Sequence, residues 1–214
     1  MRPFHEIVLE ENAPLLERNR KHPFVVELAE GTIPKTRLLR WLAQDYLFIR
    51  RVEQFLGILS ARAPKEIRRP FQEAILTIHG ENELFEEIAS RNDLDLTTAQ
   101  MTFICHAYVS FLLSTVTLGC FEEGLAVCYA GACTYRQTWL YAKENLREPN
   151  PWKDLIEIWT SDGYGDWVGT LQRVCDSMAE QTRPSMVQQM RDNFRITLHY
   201  ELRFWDMAME DRDW

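Results

Sequence analysis

Between Leu38 and Leu56 one stripe of apolar residues runs through Leu38, Trp41, Leu42, Phe48, Ile49, Val52, Phe55 and Leu56. That is the i, i+3, i+4, i+7 spacing of a helix with one apolar face. The same period runs through nearly every other segment, and no stretch sustains the alternation of a half-buried strand. Punctuation agrees with the period. Gly31 stops a short helix begun at Pro23, and Pro34 opens a long one to about Arg62. Thr97 or Thr98 caps a helix to Leu118, Glu148-Pro149-Asn150-Pro151 ends the next, and Pro184 opens the last. The expected fold is an all-α bundle of about eight helices. No linker, repeat or low-complexity tract divides it, so residues 1–214 are expected to form one domain.

Two residues break the apolar pattern. Asp45 falls on the buried face of the 38–56 stripe, and Glu201 falls on that of Phe194, Leu198, Phe204, Trp205 and Ala208. Removing a carboxylate from water costs several kcal/mol unless it is paired, hydrogen-bonded or protonated. Two such residues point to a polar cavity in an otherwise apolar bundle, with an internal ion pair as the plainer role for each.

Charge and cysteine usage narrow the partners. A net charge of −8 argues against nucleic acid and anionic membrane, which select clustered Lys and Arg. The five cysteines, Cys105, Cys120, Cys128, Cys133 and Cys175, are odd in number and lack zinc-ligand spacing. They read as reduced, mostly buried thiols of a cytoplasmic protein. The opening MRPFHEIVLEEN has no signal-peptide core, and no run reaches the roughly 18 apolar residues of a membrane span.

Three blocks carry a family resemblance. The first holds His22-Pro23-Phe24-Val25, Gly31-Thr32-Ile33-Pro34, Trp41-Leu42 and Gln44-Asp45-Tyr46 through Arg51. The second is Trp159-Thr160-Ser161-Asp162-Gly163-Tyr164, and the third is Glu201-Leu202-Arg203-Phe204-Trp205-Asp206-Met207-Ala208. Their order and spacing resemble the TenA (thiaminase II) family, over almost the whole chain. The resemblance implies the haem-oxygenase-like helical fold, a homo-oligomer (tetramer or dimer), and hydrolysis of thiamin-derived aminopyrimidines without metal or organic cofactor. It implies that Asp45 holds the amino group and ring nitrogen of the pyrimidine, that Glu201 transfers protons, and that Phe48, Tyr135 and Trp159 wall the ring, with Tyr164 at its lip. Such roles suit the chemistry: a flat polar ring is held by stacking and a forked carboxylate contact, and a second carboxyl with a raised pKa shuttles protons near neutrality.

The chain also departs from the family pattern. Aligning the family's pocket tyrosine on Tyr135 puts Gly131 where thiaminases carry their nucleophilic cysteine, and Ala132 where cysteine-less members carry a Glu. The resemblance is therefore to the branch without the catalytic cysteine. At ~100° per residue Cys128 lies within ~20° of Tyr135 on the helix, whereas Cys133 points ~200° away, so any thiol near the pocket is Cys128. Gly131 and Ala132 leave room either for a ligand or for close helix packing. Two other functions stay open: a non-catalytic pyrimidine-binding protein on the same fold, and a di-iron oxidase using His79, Glu81, Glu83 and His199. The second is disfavoured because no two of the five histidines share a helix.

Overall fold

The computed structural model describes residues 2–210, apart from the side chain of His79. It contains α1 (Phe4–Glu11), α2 (Ala13–Arg20), α3 (Pro23–Glu30), α4 (Lys35–Arg62), α5 (Arg69–Arg91), α6 (Phe103–Leu118), α7 (Phe121–Glu144), α8 (Lys153–Thr160), α9 (Asp162–Gln181) and α10 (Pro184–Met209). A short 3-10 turn, Lys65–Ile67, precedes α5, and no strand occurs among the described residues. The architecture is the all-α one that the hydrophobic period dictates.

The chain forms two compact units, one of Met1–Ile33 with Glu122–Trp205 and the other of Pro34–Phe121 with Asp206–Trp214.

In the first unit α3 ends as its glycine requires. Gly31 adopts φ +69°, a left-handed conformation in which a side chain would be strained. The carbonyls this exposes are not left to solvent: Asn150 Nδ2 donates to Leu28 O at 2.8 Å, and Arg147 N donates to Ala29 O at 2.9 Å. His22 begins the same helix, its Nδ1 accepting from Phe24 N at 3.2 Å, which gives this buried imidazole a capping role. Side-chain ties then fix the helix order. Asp176 of α9 accepts from the His5 backbone N–H at 2.9 Å and meets His5 Nδ1 at 2.7 Å, while Asn19 of α2 donates to Leu198 O of α10 at 3.2 Å.

In the second unit α4 is the central element, packed by α5 and α6. Residues 41–46 are buried all round, so the helix here has no solvent face. Trp41 meets Phe85 of α5 edge-to-face at 6.0 Å, and the Tyr46 hydroxyl donates to Glu86 at 2.9 Å. Fully burying one such apolar side chain contributes about 1.5–3 kcal/mol, so a helix covered on every side is held by packing rather than by propensity.

Helix boundaries depart from the hydrophobic pattern where polar side chains compete for the backbone. The helical pattern of residues 3–20 is split in two at Asn12, whose side-chain amide donates back to Val8 O at 2.7 Å. The helix expected from Thr97 or Thr98 starts only at Phe103. Asp95 captures the Thr97 N–H at 2.9 Å in a turn, and Thr102 is the true cap, its hydroxyl accepting from Cys105 N at 3.3 Å.

Candidate active site

Asp45 and Glu201 are both buried, at 2% and 3% exposure, each in a different unit.

Around Asp45, α4 and α6 form the setting. The Cys105 thiol, in the first turn of α6, donates to Gln44 O at 3.6 Å. Burial, aided by the negative charge of Asp45, pushes this thiol's pKa up to about 12. Cys105 is therefore a neutral neighbour of the carboxylate. One turn beyond Asp45, Phe48 is half-buried and lies against Tyr108 of α6, ring centroids 4.7 Å apart at 36°. The acidity of the Tyr46 hydroxyl is suppressed by burial and then by its bond to Glu86.

In the unit that holds Glu201, aromatic side chains of α7, α8 and α10 meet in one cluster. Tyr135 stacks on Trp205 at 5.4 Å and 18°, and meets Trp159 edge-on at 5.3 Å and 89°. Trp139 stacks on Trp159 at 4.7 Å and 28°, and Phe24 meets Trp205 at 5.3 Å with its ring tilted by 31°. The helix repeat explains the assembly: Tyr135 and Trp139 are one turn apart on α7, as Glu201 and Trp205 are on α10. Flat aromatic surfaces of this kind suit an uncharged or weakly basic heteroaromatic ring.

Of the residues expected in the site, Tyr135 and Trp159 are brought into contact. Phe48 belongs to the other unit, with Tyr108 as its neighbour. Tyr164 is half-buried in the first turn of α9, where its N–H donates to Ser161 Oγ at 3.3 Å. Between α8 and α9 a single residue, Ser161, lies outside the helices, and it caps α9. Its carbonyl accepts from Arg136 Nη1 at 2.9 Å, and the Lys143 ammonium lies 3.3 Å from Thr160 Oγ1. Cys128 is half-buried while Cys133 is 5% exposed and accepts from Gln137 at 3.2 Å. Burial of sulfur pushes both thiols up in pKa, so neither is a ready thiolate. Trp139 and Trp205 are not singled out as site residues in the sequence, where Trp205 stands only among the apolar residues of the Glu201 face. Their signal was the i, i+4 spacing to Tyr135 and Glu201.

Among the described residues no group of three or more His, Cys, Asp or Glu side chains is arranged to hold a metal ion. His79, one of the residues considered for iron, has its side chain outside the described residues. Phe85, on the same helix, is fully buried against Trp41. All five cysteines are free thiols, and no helix among the described residues is long and apolar enough to cross a membrane.

The chain is thus all-α, with one buried acidic side chain in each unit and a cluster of stacked aromatic rings in the first. Residues 11–211 match the TENA/THI-4/PQQC family, and the chain belongs to that family. A TenA homologue from Pyrococcus furiosus superposes with a TM-score of 0.93 at 33% identity, covering 96% of this chain and 99% of that one. A second, from P. horikoshii, gives 0.87 at 25% identity, with 96% and 98% covered. A Bacillus subtilis protein named aminopyrimidine aminohydrolase is 27% identical over 211 residues, 90% of this chain and 84% of its own.

Proposed function

We propose that this protein hydrolyses thiamin-derived aminopyrimidines, in amino or formylamino form, for salvage of the vitamin in the cytoplasm. The observation that carries the reading is the pair of buried carboxylates, Asp45 and Glu201, the latter on the α10 face that also bears the Trp205 indole stacked on Tyr135. Relatives named aminopyrimidine aminohydrolase, from Bacillus subtilis and Helicobacter pylori at 27% and 25% identity, support the substrate class. In this reading Asp45 accepts from the amino group and protonated ring nitrogen of the pyrimidine, fixing its orientation. Glu201 takes a proton from the attacking water and returns one to the departing nitrogen; a carboxyl removed from bulk water suits both halves of that exchange. Water adds to the carbon bearing the amine as the C–N bond breaks, so ammonia, or formamide from the formylated substrate, leaves. Tyr135, Trp159 and Phe48 contribute flat surface for the ring, and Tyr164 its edge. A homo-oligomer, tetramer or dimer, is part of the same reading and is measured by sedimentation.

The mechanism uses no cysteine. Gly131 and Ala132 offer no nucleophile, and the thiols of Cys128 and Cys133 are held protonated by burial. The test is turnover of thiamin, aminomethyl-pyrimidine and formylaminomethyl-pyrimidine, with wild type against Glu201→Gln. Hydrolysis of the two aminopyrimidines, lost in the variant, is the expected result; a substrate fragment trapped covalently on a cysteine would overturn the mechanism. Gly131 and Ala132 also favour a second reading, a pyrimidine-binding protein without catalysis. It predicts saturable binding of all three compounds and turnover of none.

A further inference from the structure

Asp45 is a short side chain, so the place of its carboxylate is set almost entirely by the place of α4. What holds α4 there is therefore of functional interest. Gln44, the preceding residue, is 5% exposed and spends both ends of its amide on one stretch of chain. Its Nε2 donates to Gln100 O at 2.9 Å, and its Oε1 accepts from Thr102 N at 2.8 Å. The amide thus grips the backbone on either side of Met101, donor to acceptor and acceptor to donor.

The gripped segment is the start of α6. Thr102 is the cap of that helix, with its hydroxyl accepting from Cys105 N at 3.3 Å and donating to Met207 Sδ at 3.0 Å. The Cys105 thiol closes a third link by donating to the carbonyl of Gln44 itself at 3.6 Å. Consecutive helical residues diverge by ~100°, so Gln44 is directed to the 100–102 backbone while Asp45 stands on the adjacent face. Gln44 and Asp45 are, with Ser60, the non-aromatic polar residues that α4 buries, and they are neighbours.

We infer that Gln44 is the positioning residue for Asp45: its two amide hydrogen bonds lock the first turn of α6 against α4 and so set where the Asp45 carboxylate stands. The inference rests on the reading of Asp45 as the anchor of the pyrimidine. Productive geometry in a binding site tolerates only about 0.5 Å, and a leucine at 44 would leave the Gln100 carbonyl and the buried Thr102 N–H without their partner. The expected consequence is a displaced carboxylate, read as lost substrate affinity.

The test is a double-variant comparison on the full-length protein, with binding of aminomethyl-pyrimidine followed by calorimetry, steady-state kinetics recorded in parallel and folding checked by thermal melting. Gln44→Leu is expected to weaken binding and raise KM by roughly tenfold, the scale of a buried hydrogen-bonding group left unsatisfied, with a smaller change in kcat. In an Asp45→Asn background the same leucine is expected to cost no further affinity, because the residue it positions has already been disabled. Gln44→Glu keeps the acceptor for the Thr102 N–H and should retain part of the affinity; it carries the same comparison if the leucine variant does not fold. Equal losses of affinity in the two backgrounds, or unchanged affinity in folded Gln44→Leu, overturn the positioning role and leave the anchor standing. Wild-type affinity in Asp45→Asn alone overturns the anchor and this inference together.

Discussion

Tyr135 and Trp205 lie face to face, ring centroids 5.4 Å apart and planes 18° from parallel. Trp205 has no exposed surface, whereas Tyr135 is only half-buried. The indole is therefore the backing and the phenol ring the surface it presents. The two should fail differently. Trp205→Ala opens a large cavity and is expected to cost about 3–5 kcal/mol of stability. Tyr135→Leu should melt close to wild type but bind aminomethyl-pyrimidine roughly three- to tenfold more weakly, the worth of one aromatic contact. Tyr135→Phe should bind as wild type. Thermal melts and calorimetric titrations separate the cases, and equal affinity for the leucine and phenylalanine variants would remove Tyr135 from the wall.

The two carboxylates should also separate kinetically. Glu201→Gln keeps the shape of the side chain and abolishes proton transfer, so kcat should fall about 10²- to 10⁴-fold with binding little changed. Asp45→Asn should instead raise KM, because an amide cannot accept from both pyrimidine donors. A Glu201→Gln variant that lost affinity but kept kcat would reverse the assigned roles.

The scaffold was legible wherever one side chain or one period decides the outcome. Gly31, Pro34 and Pro184 bound their helices as written, and Asp45 is buried along with Leu38, Trp41, Leu42, Ile49, Phe55 and Leu56 of the 38–56 stripe. Boundaries decided by competition among polar side chains were not. Asn12 sits inside an unbroken helical pattern and ends α1 only through its own bond to Val8 O. Asp95 drew Thr97 and Thr98 into a turn and left Thr102 to cap α6. In the candidate site, the acids announced themselves by interrupting apolar faces. Trp139 and Trp205 did not, because a buried tryptophan that backs a wall and one that fills a core have the same sequence pattern.

Glu81, half-buried on α5, supplies a pH prediction. Burial raises its pKa from 4.5 to about 7, so the folded state holds this proton more tightly than the unfolded chain does. Between those two values the folded form binds more protons, and its stability falls as pH rises. The contribution is fully present below about 4.5 and lost above about 7, and it amounts to something on the order of 3 kcal/mol. Glu81→Gln should remove this slope: the variant should melt above wild type at pH 8 and draw level near pH 4.5. Parallel melting curves across that range would show that Glu81 is solvated.

The effect of a side chain at Gly165 should depend on the residue opposite. A Cβ at this position would stand 2.5 Å from Arg136 Nη2 and 2.7 Å from its Cζ, so the guanidinium occupies the space a side chain would need. From there Arg136 donates to Ser161 O at the corner between Trp159 and Tyr164. Alanine within a helix gains up to about 1 kcal/mol over glycine. Here that gain is offset by expelling Arg136 from its bond, worth about 0.5–1.5 kcal/mol, so Gly165→Ala alone should leave stability nearly unchanged. Arg136→Ala should destabilise by a similar 0.5–1.5 kcal/mol, roughly the value of the bond. Once Arg136 is gone the clash is gone too, and adding Gly165→Ala to that variant should stabilise it by about 1 kcal/mol. Denaturant unfolding of the four proteins measures the difference directly, and the same effect of Gly165→Ala in both backgrounds would mean that the guanidinium does not rest on Gly165.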